Sequence, residues 1–210
     1  MKNKIVGDYL DELFLNPRCE LDYTKDYELL IAVLLSAQTT DVRVNSVTPE
    51  LFAKYPSLEA LAEADLADLE RIIRPIGTYS RKAKFLKEMA SKLKEIGYVP
   101  EDRKYLESLP GVGRKTTNVV LSNLYNYPAI AVDTHVARVS KRLAIAKEKD
   151  DVLVIEKKLE KFFPKEEWAK RHHQLVLFGR YHCKAIKPQC EICKLQSTCK
   201  YYKKCYTKFK

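Results

Sequence analysis

Apolar residues in this chain recur every three or four positions and almost nowhere every second one, so the segments between its prolines are built to be helices. Nine prolines, at 17, 49, 56, 75, 100, 110, 128, 164 and 188, punctuate these segments, and only six glycines occur. Val6, Leu10, Leu13 and Phe14 form one stripe. Phe85, Met89, Leu93 and Ile96 form a second, which ends at Gly97 as helix C-termini commonly do. Val132, Val136, Val139 and Leu143 make a third, and Leu153, Glu156, Leu159 and Phe163 a fourth interrupted by one charge. The spacing predicts an all-α fold of about ten short helices with tight connections and no strand of consequence. Residues 27–35 are apolar almost all round, the pattern of a helix at the centre of a bundle.

A length of 210 residues suits one large domain or two small ones packed directly together, since no repeat and no Gly/Ser linker separates them. The longest apolar run, residues 29–35, falls far short of the ~20 residues of a membrane helix. Asp8 and Asp11 interrupt any apolar stretch near the N-terminus, so no secretory signal is expected there. The expected location is the cytoplasm, at the nucleoid if the cell is prokaryotic, and the expected state a monomer.

Charge points to a polyanion. Lys plus Arg exceed Asp plus Glu by 38 to 28, a net +10, and phosphates neutralised by such cations release condensed counterions. Residues 181–210 hold eight lysines and a single acid, Glu191, so seven of the ten net charges lie there. A solubilising tail would show the same charge. Five of the six cysteines share the stretch, and in an intracellular chain that crowding favours a metal site over disulfides.

Residues 101–126 read as helix, very short turn, helix, with Pro110 stopping the first helix and Gly111 and Gly113 shaping the hairpin. Glycines let a backbone approach another surface closely, and the N–H groups opening the next helix carry partial positive charge. With Val112 between the glycines and Arg114 and Lys115 following, the hairpin suits a phosphate clamp that holds a strand without reading bases. Lys115 falls in the first turn of the second helix, where the dipole opposes positive charge and suits the unprotonated amine that Schiff-base chemistry needs. Phosphate contact is the plainer role for a lysine at that place. Asp133, entering the third stripe, has the position of an N-cap, and a carboxylate there also has the chemistry to stabilise a developing sugar cation or shuttle a proton.

The spacing Cys183-x6-Cys190-x2-Cys193-x5-Cys199 fits four thiolates converging on one centre. It is looser than the paired knuckles of common zinc sites, which places an iron–sulfur cluster first and zinc second. Lys184 and Lys187, between the first two ligands, would be held in place to track a phosphate backbone, although a solvated surface needs lysines equally. Cys19 and Cys205 belong to no pattern and read as ordinary thiols.

Four blocks in order, Leu34-Leu35-Ser36-Ala37-Gln38-Thr39-Thr40-Asp41, Leu109-Pro110-Gly111-Val112-Gly113-Arg114-Lys115-Thr116, Val132-Asp133-Thr134-His135, and Phe178-Gly179-Arg180-Tyr181 leading into the cysteines, closely resemble the endonuclease III family of DNA repair glycosylases. The resemblance implies a helix-hairpin-helix DNA glycosylase fold. A six-helix barrel would span 20–127, with the hairpin motif at about 101–126, and an iron–sulfur domain would be built from 1–19 and 128–210. It implies that Lys115 attacks C1′ of a flipped, damaged deoxynucleotide in double-stranded DNA, with base release, a Schiff base, and β-elimination that cuts 3′ to the lesion. Oxidised pyrimidines are the implied substrates, Asp133 the essential carboxylate, Gln38 the side chain that fills the space of the flipped base, and [4Fe-4S] the cofactor of the four cysteines.

Two positions depart from the family pattern. Thr78 stands where Leu usually wedges the opposite strand, and a smaller polar side chain is expected to intercalate less well. Thr117 replaces a usual Ala, with only a packing adjustment expected. His172, His173 and Arg180 read as packing and hydrogen-bonding support near the cysteines. Two other functions fit parts of the pattern: a monofunctional mismatch glycosylase, which generally lacks an amine where Lys115 stands, and a non-catalytic DNA-binding module, which needs neither Lys115 nor Asp133.

Overall fold

A computed structural model describes residues 1–206, the Tyr206 side chain excepted. Thirteen α-helices lie among the described residues and no strand: α1 (Lys2–Leu13), α2 (Asp26–Leu35), α3 (Asp41–Asn45), α4 (Thr48–Lys54), α5 (Leu58–Glu63), α6 (Leu66–Ile72), α7 (Tyr79–Leu93), α8 (Arg103–Glu107), α9 (Arg114–Tyr125), α10 (Thr134–Arg142), α11 (Val152–Phe162), α12 (Trp168–Leu177) and α13 (Lys200–Tyr206). The number exceeds the expected ten mainly because single-turn pieces such as α3 and α8 are too short to show a period. The chain divides into two compact units, Glu20–Tyr125, and Met1–Cys19 with Asn126–Lys210.

In the unit Glu20–Tyr125, α2 is the hub: every residue from Leu29 to Leu35 is at most 6% exposed. Glu28 starts the helix by accepting the backbone N–H groups of Thr24 (2.7 Å) and Lys25 (3.1 Å). Helices α7 and α9 pack on it, and α7 also packs on α5 and α6. The buried face of α7 runs Lys82, Leu86, Met89, Ala90, Leu93. That differs from the expected stripe, because Phe85 is only half-buried and Ile96 is exposed. A lysine on the core side hides the true phase from a reading of apolar residues alone.

In the other unit, Val6 and Leu10 of α1 join Val136, Val139, Leu143, Ile155, Leu159, Leu175 and Phe178 in one core. The α11 stripe is shifted from expectation. Leu153 is 52% exposed and Ile155 takes its place beside Leu159, since three successive apolar residues, Val152, Leu153 and Val154, leave the phase ambiguous. Asp151 fixes it by capping the helix at Val154 N. Leu13 of the first stripe is likewise exposed.

Arg171 ties α12 to α1. Its side chain is 5% exposed and donates to both Asp11 carboxylate oxygens (2.8 and 3.1 Å), Glu167 Oε2 (2.8 Å), Gly7 O (3.0 Å) and Gln174 Oε1 (2.8 Å). Burial raises the Asp11 carboxyl, but hydrogen bonds from Arg171, Lys170 and Gln174 outweigh it and hold the group well below the usual carboxylate range.

Candidate active site and cysteine centre

The hairpin between α8 and α9 is built by caps and one turn. Asp102 caps α8 by accepting from Lys104 N (2.8 Å) and Tyr105 N (3.1 Å), which starts the helix two residues later than expected. Val112 N then donates to Leu109 O (3.1 Å), closing a turn with Pro110 at its second position and Gly111, at φ +75°, at its third. Gly111 is required twice over: a Cβ there would also lie 2.5 Å from the Phe85 ring. Gly113 has open space where a Cβ would stand.

The Val112 side chain is buried and its N–H donates within the turn, so it anchors the hairpin from inside beside Leu109. Gly113 O accepts Thr117 N (3.0 Å) to open α9, and Arg114 and Lys115 stand exposed in its first turn. Thr117 is fully buried, and its hydroxyl has no hydrogen-bond partner among the described residues.

Two further expected residues lie in the same unit. Gln38 and Thr78 are both exposed, and both adopt left-handed backbone conformations (φ +58° each) that non-glycine residues rarely take. The Thr78 hydroxyl donates to Gly77 O (2.6 Å), so its polar group is turned onto its own chain.

Between these two residues sits a lysine that sequence reading missed. Lys82 is 4% exposed, and its ammonium donates to Leu35 O (2.9 Å) and Ala37 O (2.7 Å). Burial lowers its pKa. Its signal in the sequence is a cation standing four and seven residues before Leu86 and Met89, on the apolar face of α7.

The other unit carries Asp133 and the cysteines on and around α10. Asp133 caps that helix through Oδ1, which accepts Val136 N (2.7 Å), and Oδ2 makes no hydrogen bond among the described residues. The helix thus begins at a half-buried carboxylate with one oxygen already fixed in place.

At its far end α10 holds the first cysteine. Arg138 donates to Cys183 O (3.2 Å) and Gly179 O (2.6 Å). Arg142 donates to Cys183 O (3.3 Å), Cys183 Sγ (3.4 Å), Lys184 O (2.6 Å) and Ala185 O (3.1 Å), and lies 4.1 Å over the Tyr201 ring. These arginines, four residues apart on one face, were not singled out by sequence, because their partners are backbone carbonyls about forty residues away.

Cys183 is delivered by a π-helical turn, Phe178–His182, that extends α12 and closes with Cys183 N donating to Phe178 O (2.6 Å). Gly179 is needed where this turn meets α10, since a Cβ would lie 2.8 Å from that of His135. His182 stacks on Phe178 (4.9 Å) and its Nε2 lies 3.4 Å from the Tyr9 hydroxyl, a packing role. His172 and His173 pack against each other at 5.0 Å.

Cys183, Cys190, Cys193 and Cys199 all line one small cavity, together with Leu143, Phe178 and the tyrosines of α13's first turn. Tyr202 N donates to Cys199 Sγ (3.4 Å). Burial pushes the Cys183 thiol up, and pushes Cys193 up to about 11. Among the described residues no three or more His, Cys, Asp or Glu side chains are placed to hold one metal ion. Four soft sulfur donors on one apolar-walled cavity nevertheless fit a thiolate-held iron–sulfur cluster in number and chemistry. Lys184 and Lys187 are exposed on the intervening loop, whose carbonyls Arg142 pins and in which Lys187 adopts φ +50°. Cys19 is half-buried and Cys205 exposed.

Residues 31–165 match the family of HhH-GPD superfamily base excision DNA repair proteins. The endonuclease III of Bacillus subtilis (strain 168) is 49% identical over 195 residues, which cover 92% of this chain and 89% of that protein. The endonuclease III of Escherichia coli (strain K12) is 45% identical over 191 residues, 90% of each chain. A solved structure of a trapped endonuclease III–DNA covalent intermediate has a TM-score of 0.92 and 49% identity, covering 97% of this chain and 98% of that one.

Proposed function

The chain belongs to the endonuclease III family of HhH-GPD base excision DNA repair proteins, and on that footing we propose the following division of labour for a bifunctional DNA N-glycosylase and abasic-site β-lyase. It acts as a monomer in the cytoplasm, takes oxidised pyrimidines out of duplex DNA, and cuts the strand 3′ to the lesion. The observation that carries the reading is an exposed amine, Lys115, in the first turn of α9, directly after a hairpin suited to gripping a phosphate strand.

The hairpin residues Gly111, Val112, Gly113 and Arg114 hold the damaged strand by its backbone. The free amine of Lys115 attacks C1′ of the flipped nucleotide. The C1′–N bond breaks with its electron pair passing to the base, which leaves protonated, and ring opening of the sugar gives an imine at C1′. Asp133 supplies the carboxylate that stabilises positive charge on the sugar and moves protons during these steps. Loss of a C2′ proton then expels the 3′ phosphate, and water hydrolyses the imine to return the amine. Gln38 fills the gap left in the duplex, Thr78 meets the opposite strand, and Lys184 and Lys187 track phosphates further along.

Cys183, Cys190, Cys193 and Cys199 hold [4Fe-4S], which when bound ties the basic loop between them into one conformation. Arg142 supports that loop from α10 by its carbonyls.

The test is a duplex containing thymine glycol, incubated with wild type, Lys115→Gln and Asp133→Asn. Wild type is expected to release the base and nick 3′ to the site, and both variants to bind but not nick. Binding without base release or nicking by wild type would leave a DNA-binding module. Base release without nicking would mark a monofunctional glycosylase.

A further inference from the structure

Gln38 and Thr78 lie on separate loops of the unit Glu20–Tyr125, yet both are set in the left-handed region, where a residue with a Cβ is strained and persists only if its surroundings impose it. The imposing groups are identifiable. After α2 ends, the N–H groups of Ser36, Ala37 and Thr39 donate to the carbonyls of Ala32, Leu34 and Ser36. Leu35 O and Ala37 O, three residues and one residue before Gln38, are satisfied instead by the Lys82 ammonium at 2.9 and 2.7 Å. Lys82 stands one turn beyond Thr78, and its own N–H donates to Thr78 O (3.1 Å). A second tie runs to the loop before Thr78 from α3, the helix that follows the Gln38 loop, with Arg43 Nη1 donating to Pro75 O (3.3 Å).

Stability alone does not account for a lysine there. Its ammonium is buried with two neutral carbonyls and no carboxylate within ion-pair distance among the described residues. Such a group is expensive to desolvate, and an apolar side chain of its length would fill the same space without that cost, at the expense of the donor to Leu35 O and Ala37 O. What the ammonium adds is a fixed distance between two loops. It favours the carbonyl end of α2, where the helix dipole is negative, and three tetrahedral N–H directions let it hold two acceptors at once.

We propose that Lys82 is a positioning residue that locks the Gln38 loop to the start of α7, so that Gln38 and Thr78 enter the duplex as one preset pair. This rests on the reading of those two side chains as the ones that enter the duplex. The ordering of both loops is then complete before DNA arrives, and the binding energy of the duplex goes into unstacking rather than into arranging the wedge.

Lys82→Met keeps the length and packing of the side chain and removes only the donor. Its effect should separate two substrates. Excision of thymine glycol from duplex DNA should fall by about ten- to a hundredfold in kcat/KM, the scale of an ångström-sized misplacement. Cleavage of an abasic site in a single-stranded oligonucleotide, which has no opposite strand to unstack, should fall about twofold or less. A 2-aminopurine placed opposite the lesion should brighten on binding wild type and stay dark with Lys82→Met, and Lys82→Arg, which retains a cationic donor, should recover part of the signal. Equal losses on both substrates, or no loss on either, would overturn the assignment. Gln38→Ala is the control on the underlying reading. If it unstacks and excises like wild type, the wedge reading itself falls, whereas a defective Gln38→Ala beside a normal Lys82→Met would sink only the positioning role.

Discussion

Replacing Asp11 with Ala removes the carboxylate that joins the N-terminal helix to Arg171, Gln174 and Lys170 of α12, and the main cost follows from what Arg171 keeps. Both terminal nitrogens of the guanidinium lose Asp11, and among the acceptors named for Nη2 none remains, while Nε keeps Glu167 and Nη1 keeps Gly7 O and Gln174 Oε1. Orphaning a buried charge entirely costs about 3–5 kcal/mol. Because Glu167 stays and Asp11 is a third exposed, the loss should lie lower, at about 2–3 kcal/mol, in keeping with hydrogen bonds to charged groups. For a chain of this length that is a fall of roughly 4–12 °C in Tm. Urea unfolding and calorimetry of the two proteins measure it. The pH dependence has a definite sign. Asp11 is held below its unfolded value of about 3.9, so its contribution is complete above that pH and disappears as pH falls through the folded value. The gap between wild type and Asp11→Ala should be constant from about pH 5 to 7 and shrink below about pH 4. A gap under about 0.5 kcal/mol at neutral pH, or one that widens toward acid, would refute the reasoning.

Three other outcomes follow from the same contacts. Thr117→Val removes a buried hydroxyl without a hydrogen-bond partner at nearly constant volume, and should raise stability by about 1 kcal/mol, read as a higher urea midpoint with the slope unchanged. Gly111→Ala meets the Phe85 ring at 2.5 Å and a positive φ, so the hairpin should open, with duplex binding weakened at least about tenfold in a fluorescence titration while the helical circular dichroism persists. Cys190→Ser should lower iron content and visible absorption together with solubility; a colourless, zinc-loaded, fully active wild-type protein would contradict the iron assignment.

Much of the fold was legible because helices announce their buried faces. The seam of α10 through Val136 and Val139 and the all-round burial of α2 follow directly from apolar spacing. Legibility failed where a charge lies on the buried side or where apolar residues run together. Lys82 masks the face of α7, and Val152, Leu153 and Val154 blur that of α11. The caps Asp133 and Asp151 fix helix starts that periodicity alone leaves loose by a residue or two.

Site chemistry divides in a similar way. The hairpin, Lys115, Asp133 and the cysteine series are local patterns, and each can be read without its neighbours. Arg171 with Asp11, Arg142 with Lys184 O, and Lys82 with Ala37 O join residues 160, 42 and 45 positions apart. No local period encodes such pairs, which exist only once the chain has closed on itself. Val112 shows the converse: it belongs to the hairpin's sequence pattern, yet burial gives it to the core.

The central claim is that Lys115 forms an imine with the damaged sugar. Borohydride trapping on duplex DNA carrying an abasic site or thymine glycol tests it most directly, with wild type and Lys115→Gln side by side and the adduct mapped by peptide mass spectrometry. The account predicts a covalent protein–DNA adduct with wild type alone, on the peptide containing Lys115. An adduct of equal yield with Lys115→Gln, or one mapped to another lysine, would contradict it.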